Sequence, residues 1–429
     1  MRGKINHSLL YERTLLNFLY LKAMNYLQLA EYGLRLTWSG YKQLAFIKSF
    51  LKPLIENNCR RLDYELSASE KKKVLFYYPM YTVLACAQMY LTLKGRKLTI
   101  DERKRLTLVG AMATLCDDLI DENNFSREQV FNLLSNNFNE EELVTKAKLL
   151  VALNKELQIF YTLTPQYLQQ LKMALQRQAA SLKQSDPNIS LQEIVNICKE
   201  KNGHTSLMFA SLLDENWSNE ELQFIYQSAI VGQLTNDSFD IYFDTQEGIK
   251  TYFNTAPSIK NVREFFLNEC MRLHEKVFAC DGSLKNKLRT IQRMSILHAF
   301  TLTALDHLQD TENKYGAPVD WKSVPRREMV TDMAKNKNRI KTVRYMKWLS
   351  KLLPNESTMK REPVESTAIK SIGYNEDKQI LEVEILETGR VYKYFNVPLD
   401  EYMDFLDAKS LGEYYNRVIK ENYEYRELA

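Results

Sequence analysis

The chain has 429 residues, 45% of them hydrophobic and 26% charged, with a formal net charge of +4. It is too long for one average domain, and its apolar and charged fractions are those of a soluble globular protein rather than a disordered or fibrous one. Six cysteines scattered without a CxxC pair and five histidines without an HExxH cluster give no disulfide framework and no zinc centre, which points to a reducing, cytoplasmic setting.

In chain order, the amino-terminal MRGKINHSLLYERTLL is broken by charge before an apolar run of signal-peptide length develops, so no secretion signal is expected. From residue 8 to about 353 the apolar spacing of 3 and 4 predicts helix after helix. Starts are marked by capping boxes at Ser67/Glu70, Thr99/Glu102, Ser126/Gln129, Ser190/Glu193 and Ser218/Glu221, and by Thr164-Pro165. The run VLFYYPMYTVLACAQMYLTL (74–93) carries no charge over a transmembrane length. Its Pro, Gln, Thr and four Tyr favour a central buried helix over a span.

Two acidic runs follow, TLCDDLIDENN and, about 120 residues on, GQLTNDSFDIYFDTQEG. On helices, Asp117 and Asp121 share one face at i, i+4, and Asn236, Asp240 and Asp244 share another at i, i+4, i+8. Both sets emerge from apolar helical stretches, where unpaired charge is costly. Hard oxygen donors with no His or Cys nearby suit Mg²⁺, which keeps several waters and completes its shell with substrate phosphates. Carboxylate-bound metal on two walls of a cavity would neutralise a departing diphosphate. Lys201 in KEKNGHTSLMF, Lys250 and Arg344 in KTVRYMKWL are the basic residues placed to help. His204 and Cys116, near these runs, read as packing residues.

CDDLIDE resembles the DDxxD motif of class I isoprenoid synthases. NDSFDIYFD resembles the second metal motif of terpene cyclases, N-D-x-x-S/T-x-x-x-E, with Asp240 and Asp244 where Ser/Thr and Glu are usual. Arg344-Tyr345 is similar to the diphosphate-binding Arg-Tyr pair of bacterial terpene synthases. The resemblance implies an all-α isoprenoid synthase-type helical bundle over residues 1–355 that cyclises a linear prenyl diphosphate. It further implies three Mg²⁺ ions, with Mn²⁺ as a substitute, held by Asp117, Asp121, Asn236, Asp240 and Asp244, with Asp118 assisting. Lys201, Arg344 and Tyr345 would clamp the diphosphate, and Phe209, Phe239 and Tyr242 would face the carbocation. Ala113 and Met112, small for their place before the first motif, imply a C20 or longer chain, with C15 still open.

Chain-elongating relatives carry a second DDxxD and a Gly-Lys-Arg/Arg-Pro element; here only KKKVLFYYP stands in a comparable place, and no DxDD motif is present. A prenyltransferase, elongating or head-to-head, and a non-catalytic scaffold are the competing expectations.

After KLLPNESTMKREP the character changes, with two Pro and several charges marking a linker near 354–362. ILEVEI (380–385), a Thr388-Gly389 turn and RVYKYFNV predict a β-hairpin, followed by PLDEYMDFLDA and a helical GEYYNRVIKENY. Residues 356–429 thus form a small α+β domain, which resembles the KTSC domain through its ST pair, Gly-Tyr, YKYF strand and SLGEYYN helix start. It is expected to bind or dock rather than catalyse, with its partner unspecified. Residues 361–429 carry nine basic and fifteen acidic groups, leaving the first 360 near +10. A basic body suits an anionic substrate, and no zinc finger or RRM signature argues for nucleic acid. Prenyl substrates partition into lipid, so peripheral membrane contact stays open, as does a homodimer.

Overall fold

The computed structural model describes residues 26–121, 123–139, 141, 143–350, 361–376, 379–394, 397–423 and 425–428. The stretch read for a secretion signal and most of the linker near 354–362 lie outside them. Contacts divide the chain into two compact units, one within residues 1–352 and one within 353–429.

The principal helices of the first unit are α1 (Tyr26–Phe46), α2 (continuous over 68–94), α3 (Ile100–Asp121), α4 (Thr145–Phe160) and α5 (Pro165–Ala180). They continue as α6 (Leu191–Glu200), α7 (Gly203–Ser211), α8 (Asn219–Glu247), α9 (Ile259–Ala279), α10 (Leu284–Tyr315) and α11 (Asn336–Leu349). Local sequence sets where they start. Ser67, Ser126 and Ser218 close full capping boxes, Thr99 and Glu102 exchange the same pair of bonds, and Thr164 accepts from the Tyr167 N–H. Ser190 closes only half of its expected box. The reason is competition, because the Glu193 carboxylate bonds Lys183 at 2.9 Å instead of turning back.

Helix α2 contains the uncharged run 74–93. Two π-helical segments, Lys73–Tyr77 and Thr82–Ala87, flank the turn that holds Pro79. Proline lacks an amide donor and crowds the carbonyl four residues back, and widened turns absorb that mismatch. The run is buried on one side only: Val74, Val83, Ala87 and Leu91 sit in the core, whereas Phe76, Tyr77 and Tyr81 are exposed. No helix among the described residues is long and apolar enough to cross a membrane.

Gly110 on α3 sets the approach of these two helices. A Cβ there would lie 2.9 Å from Thr82 Oγ1 and 3.0 Å from both N and Cα of Pro79. Gly110→Ala should therefore force α2 off α3 and lower stability by about 1–3 kcal/mol. A urea denaturation midpoint indistinguishable from that of the wild type would contradict this account of the contact.

The second unit is an antiparallel sheet in the order β1 (Glu362–Pro363), β2 (Ile369–Asn375), β3 (Ile380–Ile385), β4 (Val391–Tyr394), β5 (Tyr425–Leu428). The β3–β4 hairpin is the expected one, and Gly389 supplies its turn at φ +66°. Ile369, Ile372, Leu381, Val383, Tyr394 and Phe405 of α12 (Leu399–Leu406) build the core. Strands β1, β2 and β5 add to the predicted hairpin. Glu382, one of the glutamates alternating along β3, does not face solvent: it is fully buried opposite Lys393 on β4, 3.9 Å away, and accepts from Arg361 at 3.0 Å.

Candidate functional site

Both acidic runs are helical, as their spacing predicts: Asp117, Asp118 and Asp121 close α3, and Asn236 to Asp244 occupy the later turns of α8. Tyr78, in the proline turn of α2, lies between them. Its hydroxyl is 3.5 Å from Asp117 Oδ2. Burial, then the carboxylates of Asp117, Asp118 and Asp240, hold its phenol far above the usual range. A single side chain therefore feels carboxylates from α3 and from α8, and the two runs face a common space.

The electrostatics of that space are those of carboxylates short of cations. Asp117 is raised to about 6, chiefly by burial and then by Asp121 and Asp118. Asp244 is raised to about 7 by burial and by Asp237 and Asp240. Asp240 is raised too, again by burial, although it accepts a 2.7 Å bond from Asn236 and feels Lys201. Lys201 lowers the three aspartates of α8, Asp237, Asp240 and Asp244, and so stands near the second cluster.

The other residues singled out from the sequence have varied surroundings. Asp118 is only 4% exposed and is engaged by Lys73 and Lys146, each at 3.8 Å, with Lys146 also bonded to Glu70 at 3.0 Å. It anchors α3 to its neighbours. Tyr345 donates to Asp306 at 2.7 Å, in a knot where Arg263 and Lys341 reach the same carboxylate at 2.9 and 3.0 Å; Arg344 beside it is exposed. Phe209 is a core residue at 3% exposure, and Phe239 is half-buried. Tyr242 packs against Phe243 beneath the guanidinium of Arg326. Lys250 is tied to the 184–187 loop through Gln184 and Pro187. His204 bonds Gln170 at 2.8 Å, and the Cys116 thiol is buried; both are packing residues, as read from the sequence.

Three residues escaped the sequence reading. Tyr78 and Lys73 come from KKKVLFYYP, whose basic run was the available signal. Asp237, next to Asn236, is buried, bonded by Gln233 at 2.6 Å and raised to about 6 by burial.

The unit also holds a cavity of about 30 Å³ whose wall includes Tyr81, Tyr90, Gly232, Thr235 and His298. Tyr81 keeps 43% of its surface accessible, yet neighbouring Cys86 and the crowding of surrounding atoms push its phenol well up. Neither Met112 nor Ala113 lines the cavity, so the chain length they implied does not follow from its floor.

Among the described residues no three His, Cys, Asp or Glu side chains converge to hold a metal ion by themselves. The donors fit Mg²⁺ as a shared site, where each wall gives a few hard oxygens and water and substrate phosphates give the rest. Buried carboxylates of raised pKa are what such a site offers before its cations arrive.

These pKa values predict a pH dependence. Asp117, Asp237 and Asp244 rise from an ordinary 3.8 to about 6, 6 and 7, so the folded protein binds their protons more tightly than the unfolded chain. The stability they contribute is whole below pH 3.8 and is lost as pH rises through 6–7. His298, lowered to about 3 by burial, and His204, also lowered, act in the opposite sense over much of this range but involve fewer protons. In EDTA the melting temperature should fall from about pH 5.5 to 7, above the range in which Glu70 and Glu102, both lowered to about 2, add stability as pH rises, and Asp244→Asn should flatten the fall. A melting temperature that rises across that interval in the wild type would refute the electrostatics.

A KTSC domain profile matches residues 365–423. An uncharacterised protein of Stutzerimonas stutzeri is 41% identical over 68 residues, 16% of this chain and 94% of that one. A protein of Tsukamurella paurometabola is 39% identical over 59 residues, 14% of this chain and 87% of that one. The crystal structure of a KTSC domain protein from Yersinia pestis is 38% identical, covers 17% of this chain and all of its own, and has a TM-score of 0.16.

Proposed function

The chain belongs, through residues 365–423, to the KTSC family, and for the helical unit that precedes this domain we propose a Mg²⁺-dependent terpene cyclase of the class I type. It ionises one linear prenyl diphosphate and closes the allylic cation to a hydrocarbon or alcohol. The observation that supports the reading is Tyr78, whose hydroxyl lies 3.5 Å from Asp117 and which also feels the charges of Asp118 and Asp240, so that side chains of both acidic helices act on one phenol.

Asp117 and Asp121 on α3, with Asn236, Asp240 and Asp244 on α8, are the residues that would hold Mg²⁺ or Mn²⁺. Bound there, the ions would supply positive charge to the leaving diphosphate. Lys201, whose charge acts on Asp240 and Asp244, would meet diphosphate oxygens. Lys73 fixes Asp118, and through it the end of α3. Tyr78 orients Asp117. The cavity volume of about 30 Å³ is far below the roughly 300–1,000 Å³ of sites that enclose a ligand of moderate size. The prenyl chain would therefore have to spread α2 from α8, and the π turns of α2 are the adaptable part of that wall. Six unpaired thiols support a cytoplasmic setting.

A prenyltransferase is the second reading. Lys73 favours it, because KKKVLFYYP brings a cation to the first motif as the basic element of elongating enzymes does. The test is incubation with farnesyl, geranylgeranyl and longer prenyl diphosphates, one at a time with Mg²⁺, and mass spectrometry of the extract. Cyclic products from one substrate are expected. Products that appear only with isopentenyl diphosphate or a second allylic diphosphate would replace the cyclase with the transferase, and no product under any pairing would leave a scaffold.

A further inference from the structure

Helix α11 (Asn336–Leu349) carries Lys337, Arg339, Lys341, Arg344 and Lys347 and no acidic residue. Its inner side is fixed to α10. Thr342 is buried and shares a 2.9 Å hydrogen bond with Thr303, Leu349 is buried, and Lys341 and Tyr345 both reach Asp306. The outer side is open to solvent. Ile340, Val343 and Trp348 are 54%, 37% and 43% exposed, with Lys337 and Arg344 exposed beside them. Positions 337, 340, 344 and 348 follow one another at spacings of 3 and 4, as do 340, 343 and 347, so these side chains share one face. The Trp348 ring is held in place, edge-on to Tyr345 at 6.4 Å.

The exposed indole and the two branched side chains do nothing for the packing on α10, which uses the other side of the helix. Cations stand among them rather than apart. Lysine and arginine stems are long enough to lift their charges outward while apolar neighbours sink into a non-polar layer. A basic amphipathic helix with Trp on its apolar stripe fits the headgroup layer of an anionic membrane. At 14 residues with five cations, α11 is too short and too polar to cross a bilayer, which takes about 20 apolar residues.

We propose that α11 is a membrane-surface helix. It seats Ile340, Val343 and Trp348 in the interface of a bilayer that contains anionic lipid, with Lys337, Arg339, Arg344 and Lys347 at the lipid phosphates. Nucleic acid would meet the cations but leave Ile340 and Val343 in water, whereas a lipid surface takes both kinds of side chain. The proposal stands apart from the cyclase reading. Under that reading, it brings the chain to the phase into which prenyl substrates partition.

The test is cosedimentation of the full-length protein with phosphatidylcholine vesicles, with and without about one third phosphatidylglycerol. Binding to the anionic vesicles alone is expected. It should be lost as salt rises from about 0.1 to 1 M, where the screening length falls from about 10 to 3 Å. Lys337→Gln/Arg339→Gln should weaken it by about 25-fold, each cation contributing about fivefold. Ile340→Ser/Trp348→Ser changes no charge and should weaken it by about tenfold or more. Brominated lipid should quench the tryptophan emission of the wild type, and that of Trp348→Phe much less. No sedimentation with anionic vesicles, equal sedimentation with neutral ones, binding that survives both double variants, or quenching unmoved by Trp348→Phe overturns the proposal. Binding to an oligonucleotide in place of vesicles would assign the face to nucleic acid. A dimer abolished by Ile340→Ser/Trp348→Ser, without vesicle binding, would assign it to a second copy of the chain; either result also overturns the proposal. None of these readouts needs turnover, so the cyclase stands or falls separately, on diphosphate release.

Discussion

Changing Asp117 to Asn should lower Mg²⁺-dependent diphosphate release by about 10²–10³-fold while raising the melting temperature of the metal-free protein. The two effects have one origin. Burial and the neighbouring Asp121 and Asp118 raise the Asp117 carboxyl to about 6, so its charged form strains the fold at neutral pH. Removing that charge should return about 1–3 kcal/mol, since each pKa unit corresponds to about 1.4 kcal/mol. Mg²⁺ should raise the melting temperature of the wild type and do so much less for the variant. A metal site traded against stability behaves in this way. If Asp117→Asn lost activity and stability together, the carboxylate would be a packing group, and the site would have to be placed elsewhere.

The largest loss of stability is expected at the opposite end of the same helix. Glu102, fully buried in the first turn of α3, accepts two bonds from Arg96 at 3.0 and 2.6 Å and the backbone N–H groups of Thr99 and Asp214, each at 2.8 Å. Burial alone would raise its carboxyl, but the Arg96 bonds and the two amides bring it down to about 2. Glu102→Ala leaves two amides without their acceptor and the Arg96 guanidinium with Glu215 as its remaining carboxylate, a change of the kind that costs about 3 kcal/mol. Glu102→Gln, which keeps the shape and one acceptor oxygen, should cost roughly half as much. Chemical denaturation of the two variants decides it; a loss below about 1 kcal/mol for Glu102→Ala would show that the network is dispensable.

What could be read from the sequence was local. Capping boxes act across three residues, and four of the five close as written; Ser190 closes half of its box because Lys183, ten residues from Glu193, competes for that carboxylate. The shared faces of Asp117/Asp121 and of Asn236/Asp240/Asp244 follow from helical period alone. The β3–β4 hairpin was legible from its alternation and its Gly389 turn. What could not be read depends on distant partners. Tyr78 reaches Asp117 because Gly110 lets the proline turn of α2 touch α3. Tyr345 turns to Asp306 because Arg263, on a third helix, converges on the same carboxylate. Asp118 and Asp117 are adjacent in sequence but about 100° apart around the helix, so one meets Lys146 and the other Tyr78. The burial of Glu382 likewise depends on Lys393, which lies opposite it on β4.

The central claim is that the two acidic faces act together on a prenyl diphosphate. Its most direct test is the release of inorganic diphosphate from geranylgeranyl diphosphate by the purified full-length protein, with and without Mg²⁺, beside Asp117→Ala/Asp121→Ala. The account predicts release that requires the metal and is lost in the double variant. Release that proceeds equally well without a divalent ion or in the double variant, or no release from farnesyl, geranylgeranyl or longer diphosphates at saturating Mg²⁺, would contradict it.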